Sequence, residues 1–172
     1  MKIQRMKRSI LLLTLFLSSC LFSTNNTSTK NTSRSTDEEL IGKIISVKDG
    51  DSLELLDADN NIHQIRLAHV DCPENKQDFG KRSKIFTANF CFGKEITVLP
   101  TDTDRYGRTV GVVFVGREEL NLAIIKAGMG WHFKKYSKDD DYDRAEKWAR
   151  TKKVGLWSQP NPVAPWDYRK RG

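Results

Sequence analysis

DGDSLELLDADNNIHQIRLAHVDCPE, residues 49–74, holds two β-like runs separated by the turn-forming segment D-A-D-N-N. Asn, Asp and a short polar gap between apolar runs are hairpin chemistry, so strands are expected over residues 52–56 and 62–70. Side chains alternate along a strand, which puts Ile65 and Leu67 on one face and Arg66 and Ala68 on the other. Arg66 therefore points out of the core. Asp51 and Asp71 stand at the edges of the two runs, and Glu74 follows just past Pro73. A hairpin can bring Asp51, Arg66, Asp71 and Glu74 to one rim of a sheet.

Three carboxylates gathered at one rim repel one another unless a cation neutralises them, so the cluster implies a metal. No His or Cys is spaced to match, and all-oxygen ligation favours a hard cation, calcium or magnesium. D-R-Y-G-R at residues 104–108 adds a second arginine, Arg108, beyond a tight turn whose Gly107 suits a positive φ. An oxygen-ligated cation, a spare carboxylate and two arginines are the parts needed to attack a phosphodiester. Each piece taken singly is ordinary turn or strand chemistry. Their occurrence together, in this order, is what carries weight.

Together D-G-D-S, R-L-A-H-V-D-C-P-E, D-R-Y-G-R and the G-L-W at residues 155–157 resemble the signature blocks of the staphylococcal nuclease family. The resemblance covers roughly residues 40–157. It implies calcium held by Asp51, Asp71 and the backbone carbonyl of Cys72, a position where the family usually has threonine. It further implies that Glu74 orients or deprotonates the attacking water, and that Arg66 and Arg108 bind the phosphoryl oxygens. Arg105 and Tyr106 lie where the family holds a terminal phosphate. Phe133 and Tyr136, in W-H-F-K-K-Y at residues 131–136, lie where it stacks a base. The family cuts DNA and RNA with little sequence preference and leaves 3′-phosphates. One departure is visible: the connection from Glu74 to the next helix is shorter than the family's mobile loop.

The remaining elements are read from periodicity. Strands are expected over 40–47, 95–99 and 109–115, and helices over 79–92, 118–127 and 140–152. The first helix has Phe79, Ser83, Phe86 and Phe90 at helical spacing, with Gly93 as its stop. The second turns Leu120, Ala123, Ile124 and Ala127 inward; the third buries Tyr142, Ala145, Trp148 and Ala149. Five short strands with three helices make an α+β protein, and the resemblance specifies a five-stranded OB-fold barrel.

The ends are different in kind. Residues 1–19 combine a basic start with an apolar run too short to span a bilayer, the pattern of a signal segment. Leu17-Ser18-Ser19-Cys20 resembles a bacterial lipobox, which implies cleavage before Cys20 and acylation of its thiol. Residues 20–36 are then a lipidated Cys and a Ser/Thr/Asn tether. Its polar part, residues 23–36, has no apolar side chain to offset ordering entropy and spans about 20 Å as a coil. The protein is thus expected to be exported and held on a membrane through Cys20, as a monomer with no obligate protein partner.

Removing Lys2, Arg5, Lys7 and Arg8 lowers the formal charge from +7 to +3, a modest balance compatible with DNA and RNA substrates. The nuclease domain is assigned to 37–157. Residues 158–172 are a proline-rich tail whose Arg169, Lys170 and Arg171 are read as a solvated basic end, with contact to nucleic acid or lipid headgroups as the alternative. Cys91 reads as a buried thiol, and pairing of Cys72 with Cys91 stays open. Two other classes fit less well. A non-catalytic nucleic-acid-binding module on the same barrel is disfavoured because all five catalytic positions are present. A zinc or redox centre built from His63, His69, His132 and the cysteines lacks any C-x-x-C or H-x₃₋₅-H spacing.

Overall fold

The computed structural model describes residues 39–171. The signal segment, Cys20 and the tether lie outside those residues. Among the described residues no helix is long and apolar enough to cross a membrane.

Strands β1 (Leu40–Asp49), β2 (Ser52–Leu56) and β3 (Ile62–Leu67) form an antiparallel meander, and the D-A-D-N-N segment is the β2–β3 turn. Asp57 organises that turn by accepting hydrogen bonds from the backbone amides of Asp59 and Asn61. Strand β5 (Glu95–Thr103) pairs with β1, and β6 (Thr109–Val115) pairs with β5. A parallel pairing of β3 with β6, Arg66 opposite Val110, closes the five strands into a barrel. The α+β barrel expected from the sequence is the observed architecture. Alternation works as anticipated: Leu53, Leu55, Ile65 and Leu67 fill the interior, each burial favourable by about 1.5–3 kcal/mol.

The expected strand over 62–70 is broken. His69 takes a left-handed φ of 66°, and Val70–Asp71 becomes a separate strand, β4, paired with β8 (Trp131–His132). A break inside a protein strands backbone polar groups, and here Asn121 satisfies them. Its side-chain amide donates to the carbonyls of Ala68 and Gly111 and accepts from Val113 N. Asn121 itself is fully buried on α2 (Leu120–Lys126), which follows the two-residue strand β7 (Glu118–Glu119).

Helix α1 (Gly80–Cys91) buries a small polar stripe, Gly80, Ser83, Thr87 and Cys91, while Phe86 and Phe90 pack at its flank. The aromatic stripe expected from the sequence is therefore displaced by about one residue around the helix. The reason is contact with the Asp49-Gly50 turn. Thr87 Oγ1 donates to Gly50 O at 2.6 Å, and a Cβ on Gly50 would fall 2.0 Å from Ser83 Oγ. Only small side chains fit there.

In α3 (Asp140–Thr151), Tyr142, Ala145 and Ala149 are buried as anticipated, but Trp148 is 52% exposed and the buried fourth position is Glu146. Glu146 accepts from His132 N and pairs with Arg150 and Lys134. Trp157, in a 3₁₀ turn at Gly155–Ser158, packs with Trp131, Leu156 and Ala164 in a second, smaller core. Lys170 and Arg171 are exposed, as a solvated end requires, but the chain before them is packed and Arg169 is ion-paired. Residues 160–168 turn back along the barrel into a short fourth helix, α4 (Pro165–Tyr168), whose Trp166 packs on Trp131 and stacks on Phe133.

Candidate active site

The site lies where β2, β3 and β4 meet. Asp51 is 6% exposed and Asp71 1%, an expensive place for carboxylates unless they have partners. Arg66 is that partner. Its Nη1 pairs with Asp51 Oδ2, and its Nη2 donates to Asp71 Oδ1 at 2.9 Å. Strand register makes this possible: Ser52 faces Arg66 across the β2–β3 ladder, so Asp51 arrives beside the guanidinium. The β3 break then swings Asp71 to its other side. Asp51 Oδ2 also accepts from Cys72 N at 2.6 Å, which ties the two carboxylate-bearing segments together.

Burial is the dominant electrostatic influence. It works against the Arg66 charge, but Asp51 and Asp71 outweigh it and hold the guanidinium above its ordinary pKa. Burial also pushes the Asp71 carboxyl up, although Arg169 and Arg66 act in the opposite direction. Asp49, whose carboxylate accepts from Asp51 N, is pushed up to about 6 by burial and by the Asp51 charge. Such a concentration of buried acid favours a bound cation. The side-chain oxygen donors gathered here are the carboxylates of Asp51 and Asp71. Among the described residues no three His, Cys, Asp or Glu side chains enclose a metal by themselves. Oxygen donors of this kind fit a hard, partly hydrated cation.

Glu74 is placed by its short loop. Gln77 N and Glu74 N bond to Glu74 O and Gln77 Oε1, and Gly80 N bonds to Gln77 O. A Cβ at position 80 would stand 1.8 Å from Glu74 O, so glycine is required for the helix to begin this close. The shortened connection thus fixes Glu74 rather than leaving it on a mobile loop. Its side chain reaches the cluster through Arg169. Arg169 donates to Glu74 Oε1 at 2.7 Å, to Asp71 Oδ2 at 2.7 Å and to Asp71 Oδ1 at 3.2 Å.

Arg108 reaches the same rim from the other side. Gly107 has φ 80°, Arg108 Nε pairs with Asp104 at 2.7 Å, and Nη1 donates to Ser52 Oγ at 3.3 Å. Ser52 Oγ in turn approaches Asp51 Oδ1 at 3.4 Å, so a polar chain joins the turn to the carboxylates. Arg105 and Tyr106 sit at the tip of this turn, hydrogen-bonded to each other at 2.5 Å, with Tyr106 open to solvent. Phe133 has one face covered by Trp166, whereas Tyr136 is 71% exposed. Cys72 and Cys91 are free, buried thiols; burial holds Cys72 well above its ordinary pKa and Cys91 up at about 12.

The profile described as staphylococcal nuclease homologue matches residues 64–159. The chain belongs to the staphylococcal nuclease family. Its chemistry is accordingly that of a nuclease, and the relatives agree. An uncharacterized endonuclease of Haemophilus influenzae is 36% identical over 129 residues, covering 75% of this chain and 72% of that protein. A micrococcal nuclease of Shigella flexneri is 36% identical over 140 residues, covering 75% and 80%. A staphylococcal-like nuclease of Arabidopsis thaliana is 37% identical over 107 residues, but these cover only 33% of the plant protein. Within this staphylococcal nuclease homologue, sequence reasoning missed the docking of Arg169 on Asp71 and Glu74 and of Trp166 on Phe133. A basic residue beyond a proline-rich stretch has no periodicity that announces where it docks.

Proposed function

We propose that the protein is a calcium-dependent phosphodiesterase that hydrolyses DNA and RNA with little sequence preference. The observation that supports this most is the pair of buried carboxylates, Asp51 and Asp71, converging on Arg66 with Glu74 alongside. Asp51, Asp71 and the Cys72 carbonyl would hold the ion. Bound calcium would polarise the phosphoryl group and neutralise charge that grows on it.

The chain's own residues supply the rest. Glu74 accepts the proton of the attacking water, for which a carboxylate at the mouth of the cluster is suited. Arg66 and Arg108 donate to the phosphoryl oxygens from opposite sides, and both are pre-positioned by carboxylates. Cys72 contributes through its backbone, so its side chain needs no contact with the ion. Arg105 and Tyr106 extend the phosphate-binding edge, and Tyr136 offers an open ring for a base.

The test is digestion of single- and double-stranded DNA and RNA in calcium, magnesium, manganese or chelator. Cleavage of all four substrates is expected with calcium at about 0.1 to 1 mM and none in chelator. Full turnover in excess chelator would show that Asp51 and Asp71 are structural.

A further inference from the structure

We infer that Arg169 is a third phosphate-binding arginine of the nuclease site, delivered by the C-terminal segment and held on Asp71 and Glu74 until a cation takes Asp71. The inference rests on the calcium reading given above and goes beyond it. Both oxygens of Asp71 are occupied by arginines, Oδ1 by Arg66 and Arg169 and Oδ2 by Arg169 alone. A cation bound to Asp71 competes with both guanidiniums for its oxygens and repels them, so the more weakly held one gives way. Arg66 cannot yield, because it lies in β3, is mostly buried and is also tied to Asp51. Arg169 can. Its side chain is 44% exposed and leaves a four-residue helix at the edge of the site.

The segment that carries Arg169 is not there by accident of a free end. Trp166 stacks on Phe133 at 5.4 Å and packs edge-on against Trp131. Gln77, in the loop just after Glu74, donates to Val163 O at 2.6 Å. The same loop that fixes Glu74 therefore fixes the chain before Arg169. Between them opens a cleft of about 510 Å³ lined by Glu74, Asn75, Lys76, Tyr168, Arg169 and Arg171. Lys76, Arg169 and Arg171 give it a basic wall beside the acidic cluster, the charge a nucleic-acid strand follows.

Charge explains why the released guanidinium matters. Asp51, Asp71 and Glu74 carry three negative charges against two positive ones on Arg66 and Arg169. A divalent cation leaves this cluster with one net positive charge, able to receive a phosphodiester anion. Without Arg169 the loaded cluster is neutral. A guanidinium that grips a carboxylate with two nitrogens presents the same fork to two phosphate oxygens. Glu74 keeps it close after Asp71 is lost to the ion.

The experiment compares the full-length protein with R169A and R169K. Calcium is titrated calorimetrically without substrate, and steady-state kinetics on single-stranded DNA are followed over a range of salt. Removing the competitor for Asp71 should make R169A bind calcium about threefold more tightly or better. The same variant should raise KM and flatten the dependence of log KM on log salt by about 0.7, the value for one contact on a single strand. R169K should keep the salt slope and recover only part of KM. Calcium affinity that is unchanged or weaker in R169A would overturn the inference, as would an unaltered KM and slope, or an R169K slope like that of alanine. Failure of the calcium reading looks different: the unsubstituted protein would itself show no isotherm, and both would fall.

Discussion

The two sides of this site are held by different means. On the barrel side, Arg66 and Asp71 project from paired strands and Asp51 from the turn between β1 and β2; all three are nearly out of water, and Arg66 is bonded to both carboxylates. On the loop side, Glu74, Arg108 and Arg169 sit at the ends of turns or a short helix and are partly exposed. The barrel side is rigid because moving any member would leave a buried charge without its partner, which costs several kcal/mol. The loop side is held by ion pairs each worth about 1 kcal/mol or less, so its members can change partner as substrate and ion arrive. On the proposed function, the fold puts fixed charge where an ion would sit and adjustable charge where a phosphate would enter.

Arg66→Ala tests the rigid side and should have the largest effect. Turnover is expected to fall by about 10³ or more. In chelator, the denaturation midpoint should show a loss of about 3 to 5 kcal/mol, because Asp51 and Asp71 stay buried without the guanidinium between them. A stable Arg66→Ala protein would mean that the two sides do not differ in kind.

Arg108→Ala tests the other side and should separate activity from stability. Its partner Asp104 lies in a hydrogen-bonded turn at the surface; burial raises that carboxyl, but bonds from Arg108 hold it below its ordinary pKa. Turnover should drop at least about a hundredfold while stability changes by less than about 1 kcal/mol. Lysine should restore little, since a point charge lacks the two-pronged contact. Near-normal kcat with a raised KM would show that Arg108 positions the strand and does not meet transition-state charge. Raising salt should weaken binding of both proteins without closing the turnover gap at saturating substrate.

Cys72→Ser is the smallest change and sharpens how the rigid side is built. Its backbone amide bonds to Asp51, and its side chain is buried away from the rim. Calcium affinity and kcat should stay at the unsubstituted level in calorimetry and kinetic assays. A large loss would assign the sulfur a part that the backbone reading denies it.

Most of the barrel could be read from local pattern. The D-A-D-N-N turn, the inward Ile65 and Leu67, and the outward Arg66 follow from hairpin chemistry and the two-residue period of a strand. The misjudged elements are those where a distant group overrides local preference. The strand ends early because Asn121, more than fifty residues away, satisfies the carbonyl freed at Ala68. Helix α1 keeps Ser83 inward as expected but turns Thr87 inward in place of Phe86, because the Gly50 turn leaves no room for phenylalanine. Trp148 faces solvent because Glu146 is needed against His132 N.

By itself the sequence determined the order of strands, the turns that carry Asp51 and Arg108, and the residue types the chemistry needs. These depend on neighbours within a few positions, where periodicity and turn preference act. Only the tertiary structure decided how those charges pair. It set Arg66 between Asp51 and Asp71, linked Arg108 to them through Ser52, and brought Arg169 from 98 positions away onto Asp71. Ion pairs of this kind form between chain segments whose approach is set by barrel closure and aromatic packing. Hairpin spacing gathers Asp51, Arg66 and Asp71, but no spacing along the chain places Arg169.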